Sequence, residues 1–355
     1  MAVMTTRRRS RSRIRIPALA AGATALGLLA LSACGSDDGG GGGDEGQGGD
    51  GRLSVVASFY PMEFLVERIG GDHVSVETLT EPGVEPHDLE ISPQQTASLH
   101  EADLVVYLAG LQPAVDDAIE QSGAEHVAEA TSFTTLHEDE GHAGDEHGEH
   151  GEEEEHGEDE HADEGHGEDE AHEEEHGHAH EGGLDPHVWL DPVKYGEVAE
   201  GVGAALAEAD PDNAADYERA TAELTEELTA LDQEFSEGLA AAETDTFITT
   251  HSAFGYLAER YGLRQESIAG LDPESEPSAA RMRDLQEIAE ADGVTTVFFE
   301  TLVSDETART LADDLGIDTA VLDPLEGITE DSPGADYIAV MRANLEALRL
   351  ALGAA

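Results

Sequence analysis

The chain has 355 residues, enough for two domains, and its 80 acidic and 17 basic side chains give a formal charge of −63. A polyanion of this size repels nucleic-acid phosphates, which excludes nucleic-acid binding, and it attracts cations. Because Cys34 is the only cysteine, a disulfide within the monomer is excluded as well.

The first 33 residues are predicted to be an export signal that is not part of the fold. Six arginines precede an apolar run at residues 17–31, which has the length of a signal-peptide core and is short for a membrane span. The run ends in Leu-Ser-Ala-Cys at 31–34, which resembles a bacterial lipobox. Cys34 is therefore predicted to carry lipid, and the Gly-rich residues 34–52 to form a flexible tether.

Strand and helix patterns alternate through the first half. The strands are predicted at residues 53–59, 74–80 and 103–109. A helix is predicted after each strand, opened by Pro61, Pro93 and Pro113, because proline is favoured in a first helical turn. This alternation predicts a mostly parallel sheet covered by helices on both faces.

An acidic histidine tract occupies residues 137–181, with 11 His and 22 Asp or Glu among 45 residues. It has too little apolar surface to repay the entropy of ordering, so it is predicted to be a disordered loop. A solvated acidic linker is the simpler interpretation of such a run. The interleaved imidazoles instead favour a segment that collects metal ions.

Two helices are predicted after the tract, at 192–209 and 211–242. Apolar side chains in the second recur mostly every three or four residues, as one buried face of a helix requires. They are Tyr217, Leu224, Leu228, Leu231, Phe235 and Leu239. A helix of about 30 residues is about 45 Å long, so this one is predicted to join two lobes.

The second half repeats the alternation. Its strands are predicted at residues 246–250, 266–271, 295–301 and 319–322. Its helices are predicted at 253–261, 277–291, 304–315 and 335–352. A second parallel α/β lobe is therefore expected.

Three histidines outside the tract share one kind of position. His87 and His187 lie in Pro-bounded turns, and His251 ends a strand, as does Asp323. Ligands of parallel sheets collect at the carboxyl ends of strands, so these four side chains are expected to converge between the lobes. Three imidazoles and one carboxylate suit tetrahedral zinc.

Other interpretations remain open for this set. Each turn histidine, taken alone, is more often a surface residue. Asp323 is also placed to cap the turn before Pro324, and Glu326 is a rival for the fourth ligand position. His73, His100 and His126 lack the shared placement and are predicted to be surface residues.

Several motifs together resemble the zinc-binding periplasmic solute-binding proteins of ABC importers. They are Glu-Pro-His at 85–87, the acidic tract, Asp-Pro-His-Val-Trp-Leu-Asp-Pro at 185–192, Thr-His-Ser-Ala-Phe-Gly-Tyr-Leu at 250–257 and Leu-Asp-Pro-Leu at 322–325. The resemblance covers roughly residues 53–352. It implies two α/β lobes joined by one long rigid helix, with Zn²⁺ held between them by His87, His187 and His251.

The resemblance also implies a function and a domain plan. Relatives that take manganese usually carry glutamate where this chain has His251, while the fourth ligand varies, which leaves Asp323 less secure. The implied partners are Zn²⁺, an ABC importer permease and the membrane that holds the lipid anchor, with the protein itself a monomer. The predicted domains are an N-terminal lobe at 53–209, a linking helix at 210–243 and a C-terminal lobe at 244–355.

Three alternatives to zinc import have to be weighed. A zinc hydrolase needs an open metal position and a general base, and the sequence has no His-Glu-x-x-His motif, so no enzyme activity is predicted. A metal store would use the tract as its main binding site, with the lobes as a scaffold. An importer component specific for manganese or another divalent metal would keep the fold and change the ligands.

Overall fold

The computed structural model describes residues 51–137 and 184–354. The predicted signal peptide, Cys34, nearly all of the tether and the tract beyond His137 lie outside the described residues. No helix in the described part of the chain is long and apolar enough to cross a membrane.

The first half forms a four-stranded, all-parallel sheet. Its strands are Leu53–Ala57 (β1), Val74–Thr78 (β2), Leu104–Tyr107 (β3) and Val127–Glu129 (β4), in the order β2-β1-β3-β4. The helices between them are Tyr60–Gly70 (α1), Pro93–Glu101 (α2) and Pro113–Ser122 (α3). The helix α2 begins at Pro93, as predicted, and Ser92 and Gln95 form a capping box at this end.

The second half forms a second sheet of the same kind. Its strands are Thr246–Thr249 (β5), Arg264–Ser267 (β6), Thr296–Phe299 (β7) and Asp318–Val321 (β8), in the order β6-β5-β7-β8. Its helices are Gly255–Tyr261 (α6), Ala279–Asp292 (α7), Glu306–Leu315 (α8) and Tyr337–Ala351 (α9). The predicted architecture of two parallel-sheet α/β lobes is confirmed.

Two edge strands differ from the sequence prediction. The strand β4 was not predicted, and β6 begins two residues before its predicted start and ends at Ser267. Both lie at the edge of a sheet. The strand β6 is polar throughout and β4 has only three residues, so neither carries the apolar pattern on which strand prediction depends.

Two long helices lie between the sheets in the chain: Pro192–Ala209 (α4) and Ala214–Leu239 (α5). All six apolar positions predicted for the second helix are buried in α5. The helix α5 packs on α1 and α4 of the first half and on α6 and α9 of the second. It therefore contacts both halves, as the prediction of a connecting helix requires, while the predicted domain limits stay predictions.

The largest hydrophobic core runs through both halves. It contains inward-facing residues of both sheets, such as Val55 and Phe247, together with the buried face of α5. Phe64 packs on Tyr195 and Tyr337, with ring centroids 6.4 and 5.4 Å away. Smaller clusters under α2 and α3, and under α7 and α8, cover the opposite faces of the two sheets. One shared core thus holds both sheets in a common orientation.

Candidate metal centre

Three imidazoles converge on one carboxylate oxygen. The Nε2 atoms of His87, His187 and His251 each lie 3.2 Å from Oε1 of Glu326. The four side chains form a group in which one ligand atom from each lies within 4.8 Å of the others. The structure therefore brings together the three predicted histidines, and it adds Glu326, which the sequence left as a rival of Asp323.

Each of these residues lies beyond the carboxyl end of a strand or in a constrained turn. His87 is in the loop after β2, where its N–H donates to Glu85 Oε1 at 3.0 Å. His187 precedes the short 3-10 helix Val188–Leu190, and His251 follows β5 by two residues. Glu326 follows β8 in the loop that leads to α9. The carboxyl ends of the two sheets thus meet at this point.

Buried carboxylates hold two of the imidazoles from behind. Asp185 Oδ1 lies 2.7 Å from Nδ1 of His187, and Glu300 Oε1 lies 2.7 Å from Nδ1 of His251. A carboxylate at Nδ1 keeps the proton on that nitrogen, so in the neutral imidazole Nε2 presents a lone pair to the cluster. Neither carboxylate was singled out from the sequence.

The cluster consequently requires a cation. Lone pairs on Nε2 of His187 and His251 face the negatively charged Oε1 of Glu326, which is unfavourable unless a proton or a metal ion lies among them. Ligands 2.0–2.1 Å from a tetrahedral zinc stand about 3.3 Å apart. The observed 3.2 Å spacing is close to that separation. The donor set and its geometry therefore fit a tetrahedral metal ion.

The pKa shifts in the metal-free cluster also show that it favours a bound cation. Burial alone would lower the pKa of His251, but the charges of Glu300 and Glu326 raise it well above its ordinary value. The pKa of His187 is likewise raised, because Asp185 and Glu326 outweigh the effect of burial. Burial would raise the pKa of Glu326, but the three histidines hold it well below its usual range. Protons and a metal ion compete for the same imidazole nitrogens.

Asp323, the predicted fourth ligand, has a different position. Its Oδ1 accepts a hydrogen bond from Leu325 N–H at 2.8 Å, and its Oδ2 accepts from the Thr301 hydroxyl at 3.2 Å. The Asn344 side chain, on α9, accepts a hydrogen bond from the Asp323 N–H and donates one to the Asp323 carbonyl. Asp323 therefore stabilises the turn, which was the open alternative, and lies outside the cluster of four.

That turn presents Glu326 to the cluster. Leu325 has φ +60° and is the only described non-glycine residue with a positive φ. A buried leucine in this conformation costs about 1–3 kcal/mol, which the surrounding contacts have to offset. The Asp323 carboxylate supplies one such contact by accepting from Leu325 N–H. The strained residue lies immediately before the side chain it positions.

Trp189 ties this turn to the first half. Its Nε1–H donates to the Pro324 carbonyl at 2.7 Å, and Tyr337 O–H donates to the Trp189 carbonyl at 2.6 Å. The imidazole of His187 lies 5.1 Å from the Trp189 ring, between centroids. Clustered side chains from both halves are thereby held against each other by buried hydrogen bonds.

The remaining described histidines lie outside the cluster. His73 lies 3.1 Å from an Asp216 carboxylate oxygen, and His137, the first residue of the tract, lies 2.5 Å from one of Glu259. His100 and His126 are exposed, as predicted.

Comparison with protein families shows which family the chain belongs to. The sequence profile of the family described as "Zinc-uptake complex component A periplasmic" (ZnuA) matches residues 55–351. The chain belongs to this family. The match to the ZnuA family spans all four clustered residues and the acidic histidine tract.

Curated relatives carry related names. The zinc-binding lipoprotein AdcA of Streptococcus pneumoniae serotype 4 is 36% identical over 307 residues, which is 84% of this chain and 56% of AdcA. The high-affinity zinc uptake system protein ZnuA of Bacillus subtilis is 38% identical over 301 residues, which is 84% of this chain and 87% of that protein. This ZnuA-family chain thus spans little more than half the length of the AdcA relatives.

Solved structures share the two-lobed fold. The Zn(II)-bound ZnuA-like domain of S. pneumoniae AdcA matches with a TM-score of 0.65 at 32% identity, covering 85% of this chain and 99% of that one. The metal-dependent lipoprotein YcdH of B. subtilis also has a TM-score of 0.65, at 34% identity, with coverages of 85% and 99%. The laminin-binding protein Lmb of Streptococcus agalactiae, described as having adhesin and metal-transporting activity, has a TM-score of 0.68 at 29% identity, with coverages of 84% and 99%.

Asn344→Ala tests the support of the Glu326 turn. The substitution leaves the buried N–H and carbonyl of Asp323 without partners, so the free energy of unfolding is expected to fall by about 2–4 kcal/mol. Arg342→Ala on the same helix is the control, because it removes only an exposed ion pair with Glu234 and is expected to cost under about 1 kcal/mol. Urea unfolding of the metal-free protein measures both. Equal losses would contradict this role of Asn344.

Proposed function

We propose that this protein is an extracytoplasmic zinc-binding component of an ABC importer, which captures Zn²⁺ and delivers it to a permease in the membrane. The observation that carries the proposal is the convergence of three imidazole nitrogens on one carboxylate oxygen, with carboxylates holding two of the imidazoles from behind. Membership of the ZnuA family and the names of the relatives support it.

The ligand set favours zinc binding over zinc catalysis. A catalytic zinc keeps one position open for water or substrate, whereas His87, His187, His251 and Glu326 together fill a tetrahedral shell. Three nitrogen ligands also favour zinc over manganese, which prefers oxygen ligands and is lower in the Irving–Williams order. In this proposal the four residues hold Zn²⁺ as cargo.

The metal preference is tested at His251. His251→Glu makes the set two imidazoles and two carboxylates, so zinc affinity is expected to fall and the preference for zinc over manganese to narrow. His187→Ala is expected to cost more than about 100-fold in zinc affinity, because it opens a position among the direct ligands. Competitive titration against a chelator with tight zinc affinity measures each variant.

The exposed His100 provides the control, since His100→Ala removes an imidazole without touching the cluster. A wild-type preference for manganese would refute the assigned ligand set. So would a His251→Glu variant that binds zinc as tightly as the wild type.

Zinc affinity is expected to depend on pH. Since the pKa values of His187 and His251 are raised above the ordinary value of 6.5 in the metal-free protein, protons begin to displace zinc above that pH. Affinity should therefore be highest at alkaline pH and fall continuously as the pH is lowered through 6.5. Calorimetry in buffers of different ionisation heat measures the protons released on binding.

Glu300→Gln is the matched variant for this test. It removes a charge that raises the pKa of His251, so the pH profile should shift toward lower pH while affinity at alkaline pH falls by about 10–100-fold. An affinity that does not change between pH 8 and pH 6 would contradict proton competition at these histidines.

The acidic histidine tract is proposed to capture zinc for the main site. The described residues on either side of residues 138–183 meet, because Asp185 N–H donates to the His137 carbonyl at 3.1 Å. Residues 138–183 can therefore be replaced by a two-residue glycine linker. The variant is expected to keep one tight zinc site and to lose only weak ones in calorimetry, because the tract raises the local metal concentration without supplying the four ligands. Loss of the tight site would instead favour a metal store centred on the tract.

The lipid anchor is proposed from residues 31–34 and agrees with the lipoprotein relatives. Acyl chains on Cys34 would hold the protein at the outer face of the membrane. Cys34→Ala is expected to release the protein into the soluble fraction or to leave it unprocessed. Mass spectrometry of the mature wild-type N-terminus provides the direct check, and an unmodified Cys34 there would refute the anchor.

A further inference from the structure

A small cavity of about 20 Å³ opens to solvent beside Glu326. One wall is formed by Tyr60 and Glu63 of α1, and another by Glu81 and Pro82 in the loop that leads to His87. Gly327 and Ile328, which directly follow Glu326, belong to the other half of the chain. The cavity thus lies where the two halves meet.

The lining is acidic. Of the described residues that form it, Glu63, Glu81 and Glu326 are carboxylates, and none is lysine, arginine or histidine. A cleft lined by one sign of charge focuses its field and attracts the opposite charge. The mouth of the cavity therefore attracts divalent cations.

Glu326 belongs to both the cavity and the metal centre. Its Oε1 faces the three imidazoles, while its Oε2 is buried without a hydrogen-bond partner among the described residues. Such an unpaired carboxylate oxygen is costly unless a cation is at hand. Glu326 is therefore the residue that the cavity and the metal centre share.

Exposure shows which member of the cluster is nearest to solvent. The side chains of His187, His251 and Glu326 are 0% exposed, whereas that of His87 is 12% exposed. A metal ion that reaches the cluster without unfolding its surroundings therefore has to approach near His87, which does not itself line the cavity. The loop of Glu81 and Pro82 leads directly to His87.

We propose that this cavity is the entry route for the metal ion, and that Glu63 and Glu81 form a transient cation site from which Zn²⁺ passes to Glu326. The inference rests on the proposed zinc-binding function. In the transient site the ion keeps most of its water, and it loses that water as Glu326 and the imidazoles replace it. The carboxylates lower the barrier to entry and, equally, the barrier to exit.

The test compares zinc binding rates of full-length variants. Glu63→Gln, Glu81→Gln and the double variant remove the cavity carboxylates with little change in shape. Glu67→Gln is the matched control, because it removes the same charge from the exposed surface of α1, outside the cavity. Glu81 is exposed, so its single variant keeps the test valid even where the change at Glu63 disturbs folding.

Trp189 provides the signal. It is the only tryptophan of the chain, and its ring lies 5.1 Å from that of His187, so its fluorescence reports on the metal centre and not on the tract. Stopped-flow mixing with Zn²⁺ alone gives the association rate, and mixing the loaded protein with excess chelator gives the dissociation rate.

Both rates of the double variant are expected to fall by about tenfold relative to Glu67→Gln, with a Kd that changes by less than about twofold. Rates equal to those of the control would overturn the proposal. A slower association with unchanged or faster dissociation would also overturn it, because the carboxylates would then act on the final site. A wild-type protein without any tight zinc site would instead refute the proposed function itself.

Discussion

The arrangement of three imidazole nitrogens around one buried carboxylate oxygen governs the rest of this structure. Because Asp185 and Glu300 occupy Nδ1 of His187 and His251, the opposite nitrogens present lone pairs to Glu326. Buried groups of this kind repel one another until a cation joins them. The cluster is thus held in a geometry that becomes favourable only when it is occupied, which is what a carrier of a positively charged cargo needs.

Contacts that join the two lobes offset the free energy that this buried, charged arrangement costs. Neither lobe alone contains all four clustered side chains, since His87 and His187 come from the first half and His251 and Glu326 from the second. The hydrogen bond from Trp189 to Pro324, the packing of Tyr195 on Tyr337 and the contacts of α5 with both halves hold the four side chains in place. In the proposed function, the shared core therefore contributes to metal binding by positioning these four side chains.

Two kinds of histidine serve the proposed function in different ways. The clustered histidines are few, buried and oriented by neighbours, so they lose little entropy when a metal binds. Those of the tract are many, and nothing in their local sequence prepares a single geometry. The clustered histidines are expected to provide selectivity for zinc, and those of the tract to raise the local zinc concentration. The acidic cavity beside Glu326 is proposed as the route by which a metal ion reaches the buried centre.

The amino-acid sequence by itself determined the two α/β lobes, the buried face of α5 and the three histidine positions, because each depends on local signals: apolar periodicity, proline at helix starts, and histidine beside a strand end or between prolines. Only the tertiary structure decided the rest. Asp323 and Glu326 lie three residues apart, and the positive φ of Leu325 determines which of them faces the cluster. The partners of His251 and of Asp323, Glu300 and Asn344, are 49 and 21 residues away in sequence, so no local pattern could have identified them.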